Sequence, residues 1–135
     1  FYITGVQLEK GTTATSFDFR PYGTELSLCQ RYFEMSYDIG TAIGSTTYVG
    51  AICTVGVATS SPTDYMGRQF SVTKRADPTI TIYNPATGAS GSTSGGVGNV
   101  TVSGTNSGMS CIRDVFLTST NNFYINWHYT ASAEL

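Results

Sequence analysis

Histidine occurs once in these 135 residues, and charged residues make up only 12% of the chain, against about a quarter in an ordinary globular chain. A single imidazole excludes two-histidine metal motifs and every zinc site that needs more than one such ligand. The seven Lys and Arg residues are scattered and the formal net charge is -2. No basic field is therefore available to hold phosphates, which argues against a nucleic-acid partner. Long apolar runs are missing too. The stretch "YVGAICTVGVA" at residues 48–58 is about half the length a membrane-crossing helix requires, and glycines interrupt it. There is no phosphate-cradling Gly-Lys-[Ser/Thr] loop and no Gly-x-Ser-x-Gly elbow. The three cysteines, Cys29, Cys53 and Cys111, are far apart and form no C-x-x-C pair. That pattern reads as small buried thiols in a chain folded in a reducing cytosol, with one disulfide and a spare thiol as the alternative.

What is present is Thr, Ser, Gly and Asn, together with β-branched and aromatic residues in short runs. This balance favours strands and turns over helices. The length suits one domain that buries about two thirds of the surface its unfolded form exposes. Seven segments carry strand composition: "EMSYDIG", "TTYVGAICTVGVA", "RQFSVTKRA", "PTITIYNP", "GNVTVSG", "MSCIRDVFLTS" and "NNFYINWHYTASAEL". Clusters of Gly, Pro, Asn, Asp and Ser separate them. In the last segment Phe123, Ile125, Trp127 and Tyr129 alternate with Tyr124, Asn126, His128 and Thr130. The first set is predicted to face the core, which places Trp127 inside and leaves His128 on an exposed or interface face. The pattern predicts an all-β chain, an antiparallel β-sandwich or jelly-roll-like head. Residues 84–99, poor in large side chains, read as a long mobile loop.

Residues 1–8, "FYITGVQL", have strand composition from the first position, so the chain is expected to be the C-terminal piece of something longer. An irregular connection follows, and from Thr24 the pattern becomes helical. Thr24 is the expected N-cap, Glu25 the acidic first-turn residue, and Leu26, Cys29, Tyr32 and Phe33 the apolar side. About nine residues cannot hold a helix alone, so that side is predicted to be buried. The expected organisation is a strand and connector over residues 1–20, a short linker helix over 21–33, and a β-sandwich over 34–135.

Glycan hydrolysis would need two carboxylates held ~5–10 Å apart about the scissile bond. Glu34, Asp38, Asp64, Asp77 and Asp114 are scattered over different turns and strands, and no spacing pairs them. Sugar binding, by contrast, uses aromatic faces with Asn, Asp, Gln and Arg groups beside them. Candidate ligand-binding residues at turns and strand ends are Asp64, Tyr65, Arg68, Tyr83, Asn84, Asn121, Asn122 and Tyr124. No catalytic residue, metal ligand or cofactor is proposed from the sequence. "NVT" at residues 99–101 is a formal glycosylation sequon, without meaning in a protein made by a bacterium.

The opening "FYITGVQLEKGTTATSFDFRPYGTELSLCQRYFE" resembles a junction found in bacteriophage tail fibre and tail-spike proteins. There a strand ending in G-V-Q-L-E-x-G closes an upstream jelly roll, and F-[DE]-x-R-x-Y-G-x-E-L-x-L-C-Q-R-Y introduces the C-terminal head. The matching positions include Gly5, Val6, Gln7, Leu8, Glu9, Gly11, Phe17, Arg20, Tyr22, Gly23, Glu25, Leu26, Leu28, Cys29, Gln30, Arg31 and Tyr32, while Ser16 stands where the pattern commonly has proline. The segment "FSVTKRADPTITIYNPATG" and the ending "INWHYTASAEL" are similar to later parts of such proteins. The resemblance implies a homotrimeric fibre tip on the virion, made in the host cytoplasm, with a bacterial surface glycan or other receptor as partner and an upstream fibre module behind it. It also implies that residues 1–20 belong to that upstream module and that 34–135 are the C-terminal head. A purely structural trimerisation or decoration element is the alternative, and a glycan-degrading tail-spike enzyme a further one.

Overall fold

The computed structural model describes residues 8, 10–13, 15–16, 19–55, 67–96, 98–117 and 124–134. The expected opening strand falls almost wholly outside them, as does Phe123. The chain is all-β and antiparallel, as its composition predicts, with one short helix among the described residues.

The organising element is the last strand, β8 (Ile125–Ser132), because four other strands pair with it. β1 (Phe33–Met35) and β4 (Thr79–Tyr83) both address Thr130, Ala131 and Ser132, so they lie on its opposite edges. β2 (Ile52–Thr54) and β5 (Ser92–Gly95) do the same further back, both addressing Ile125 and Asn126. Strands of three to five residues could not stand alone. Here each completes its ladder against one eight-residue neighbour. From β5 the sheet continues through β6 (Gly98–Gly108) and β7 (Cys111–Leu117) to β3 (Arg68–Gln69). The segment after β3 then returns to β1, where the Ser71 N–H donates to the Glu34 carboxylate at 3.1 Å. The sheet thus curls toward its own first strand.

Inside the curl lies one apolar cluster built by alternation. Ile125, Trp127, Tyr129 and Ala131 of β8 meet Ile82 of β4, Val100 of β6, Ile112, Val115 and Leu117 of β7, and Phe70. Trp127 is fully buried, as the sequence predicts, and its indole N–H donates to Thr54 Oγ1 at 3.2 Å, so burial leaves no orphan donor.

Three expectations need correction. β5 lies in the stretch read as a mobile loop. Its sequence "STSG" lacks apolar bulk because its cross-strand neighbours Val100 and Ile125 supply it, and Thr93, opposite Val100, is itself fully buried. Residues 84–91 form a tight turn anchored by Asn84. The helix α1 spans Tyr22–Gln30, with Pro21 and not Thr24 as N-cap. The Pro21 carbonyl accepts the N–H groups of Thr24 and Glu25 at 3.0 and 3.2 Å, so the chain is already helical at Thr24. Nor is any α1 residue buried. Phe33 belongs to β1, and Tyr32 stands 46% exposed in the connecting turn. Finally, the cysteines are not buried thiols: Cys29 and Cys53 are exposed, Cys111 is half-buried, and all three are free.

Candidate functional site

The side chains that carry chemistry fall into two buried networks and one exposed face. The first network closes the curl. Glu34 on β1 receives Lys74 Nζ at 2.5 Å, the Tyr129 hydroxyl at 2.7 Å and the backbone and side chain of Ser71. Lys74 Nζ also donates to the Gln30 carbonyl at 2.7 Å and sits 4.6 Å from the centre of the Phe70 ring. Burial alone would push the Glu34 carboxyl up, but the bonds from Lys74, Tyr129 and Ser71 together hold it below its ordinary value. The Tyr129 hydroxyl is pushed up, first by burial and then by donation to Glu34. Every oxygen of Glu34 is therefore committed, and the group is a structural ion pair.

The second network lies on the opposite face of β8 and corrects the expected placing of His128. Its ring is fully buried, because residues 36–50 fold across that face. Nε2 lies 2.9 Å from the Thr47 carbonyl, which can only accept, so Nε2 carries the proton. Nδ1 then accepts from the Ser36 hydroxyl at 2.9 Å, and the Ser36 oxygen accepts the Tyr129 N–H at 3.0 Å. The Tyr37 ring stacks on the imidazole at 3.9 Å. This arrangement describes a neutral histidine, and burial depresses its pKa accordingly. The Ser36 hydroxyl and both ring nitrogens of His128 thus clamp the loop to β8. Gly44 and Gly88 complete the clamp. Both have positive φ, and a Cβ on Gly88 would collide with the Gly44 carbonyl.

Of the residues nominated for ligand binding, Asp64, Tyr65, Asn121 and Asn122 lie outside the described residues. Asn84 is fully buried, with Oδ1 accepting the Ala86 N–H at 2.8 Å and Nδ2 donating to the Thr93 carbonyl at 2.9 Å. Its amide is spent on the turn, which corrects its nomination. Tyr83 is half-buried, opposite His128 and edge-on to Tyr37. Arg68 is exposed at the start of β3, on a different part of the sheet, beside the Tyr129 hydroxyl. Asp114 accepts a bond from its cross-strand partner Asn106, and Asp77 accepts one from Ser107 on β6, 30 residues along the chain.

Tyr124 is 45% exposed and does face solvent. It stands beside a row the sequence did not reveal. Cys53, Asn126, Ser94 and Asn99 are cross-strand partners on β2, β8, β5 and β6, so they share the outer face. Tyr48, 54% exposed, reaches the row from the loop, with its hydroxyl 3.0 Å from Ser94 Oγ. Sequence reasoning placed Tyr48 in a strand. The following Gly50 with positive φ was the signal that the chain turns there.

Among the described residues no group of three His, Cys, Asp or Glu could hold a metal ion, and no helix is long and apolar enough to cross a membrane. No family model matches the chain, and no curated protein or solved structure matches it.

Proposed function

We propose that this chain is the receptor-binding tip of a bacteriophage tail fibre, acting as a homotrimer and without catalysis. The motif-level support is the junction in the first 34 residues. The observation that carries the reading is the apolar surface around α1. Tyr22, Leu26, Leu28, Tyr32 and Phe33 are all exposed by 37% or more, as is Phe19 at 84%. Beside them a cleft of about 790 Å³ opens between the helix and residues 72–74, lined by Pro21, Leu28 and Val72 among others. A nine-residue helix with no fully buried residue is unstable by itself. A covering surface stabilises it, and in a fibre tip that surface comes from neighbouring protomers and the upstream module.

Three copies on one tip would also raise avidity by roughly 10²–10⁴ over a single weak contact. Mass in solution and adsorption to bacterial cells test the reading together. A trimer that adsorbs supports it. A trimer that adsorbs to no strain favours the purely structural alternative, and a stable monomer removes both.

A further inference from the structure

We propose that the outer face of β2, β8, β5 and β6 is a glycan platform, with Tyr48 and Tyr124 as its stacking surfaces and Asn126 and Asn99 as its hydroxyl partners, Ser94 between them holding Tyr48 in place. It takes an uncharged pyranose segment. The inference rests on the receptor-binding reading above and assigns it a surface and a ligand class.

Register fixes the geometry. Asn126, Ser94 and Asn99 form one row across three strands. Tyr124 precedes Asn126 on the same face of β8, and the Gly96 N–H donates to the Tyr124 carbonyl at 3.3 Å. Tyr48 is tethered at Ser94 and Tyr124 lies over Gly96, two residues on and just past the end of β5, which separates the two attachment points by about 7 Å. Both rings are exposed along part of their surface and held along the rest. Ser94, only 8% exposed, fixes the Tyr48 hydroxyl. Gly96 leaves the space Tyr124 needs, since a Cβ there would sit 3.2 Å from the ring. Rings already held in place lose less rotamer freedom when a ligand lands on them.

Chemistry sets the ligand class. A carboxamide both donates and accepts, which suits sugar hydroxyl groups, and aromatic faces suit the apolar side of a pyranose. No member of the row or its flanking tyrosines is charged. An anionic sugar would lose hydration there and find no cation in return.

The test uses the full chain on immobilised oligosaccharides of glucose, galactose and N-acetylhexosamines, beside sialylated and phosphorylated counterparts, and in parallel on bacterial cells. Wild type should bind uncharged members or adsorb to cells. Tyr48→Ala and Tyr124→Ala should each weaken that binding about tenfold or more, as a central aromatic anchor does. Asn99→Ala, at an exposed position, should weaken it a few-fold with no shift in the unfolding midpoint. Gly96→Val should act like Tyr124→Ala by displacing the ring. Binding that survives unchanged in Tyr124→Ala and Asn99→Ala overturns the platform and leaves the receptor reading standing. Preference for the sialylated or phosphorylated members overturns the ligand class. Wild-type trimer that binds neither panel nor cells overturns the receptor reading, and the platform with it.

Discussion

From Trp127 to Ala131 the two faces of β8 are both buried, and by opposite means. Its inward face is covered by apolar side chains and ends in the Glu34–Lys74 ion pair, with Tyr129 bridging strand and carboxylate. Its outward face is covered by a loop of residues 36–50 held through an uncharged imidazole. Paired charges in a dry site tolerate a wide pH range but not the loss of one partner. A neutral histidine tolerates neither protonation nor the loss of its donor. The inward face therefore sets whether the sheet closes, and the outward face sets where Tyr48 stands.

The sharpest way to break the inward face is Glu34→Ala. Lys74 would be left buried without its carboxylate, and the hydroxyl of Tyr129 and the N–H of Ser71 without their acceptor. Stability should fall by about 3–5 kcal/mol, read from urea unfolding. On the outward face Ser36→Ala strands His128 Nδ1 and the Tyr129 N–H, and a loss of about 1–3 kcal/mol is expected. A larger loss from Ser36→Ala than from Glu34→Ala would reverse the ranking of the two faces.

Acid sharpens the same contrast. The folded state depresses the His128 pKa below 6.5, so across that interval the unfolded chain binds the proton more readily. This contribution is fully present above about pH 6.5 and drains away as pH falls toward the folded-state value. Glu34 is also depressed, from 4.5, so its contribution is lost only below that value. Stability against pH should fall first below 6.5 and again below 4.5, and His128→Gln should abolish the first decline while leaving the second. A curve in which both declines survive that substitution would separate His128 from the loop clamp.

Much of this was legible because alternation is a local property. The order Ile125, Trp127, Tyr129 announces a core face, and seven of the eight described strands sit in segments with strand composition. β5 was not legible, since its place depends on apolar cross-strand partners 7 and 30 residues away in sequence, Val100 opposite Thr93 and Ile125 opposite Gly95. His128 misled for a related reason: the alternation correctly put it on the polar face, but no local pattern says that a distant loop will cover that face. The same non-local event creates the candidate site. Tyr48 and Ser94 are 46 residues apart, and only the loop clamp brings the phenol to the row. Tyr124 was nominated from sequence because a tyrosine at the start of a strand is a local signal, and its 45% exposure is what the structure adds.

The smallest expected effect on the isolated fold comes from α1, and it separates the head's own stability from its assembly. Because no α1 residue is buried, Leu26→Ser and Leu28→Ser remove little from the single chain, and its unfolding free energy should move by no more than about 0.5 kcal/mol. If protomers pack on that helix, the same two changes should shift the oligomer toward single chains at micromolar concentration, seen as a fall in mass by sedimentation. A loss of several kcal/mol in the dilute monomer would mean that the helix packs onto its own sheet after all. Unchanged oligomer mass would move the interface away from α1 and leave its exposed leucines to the upstream module alone.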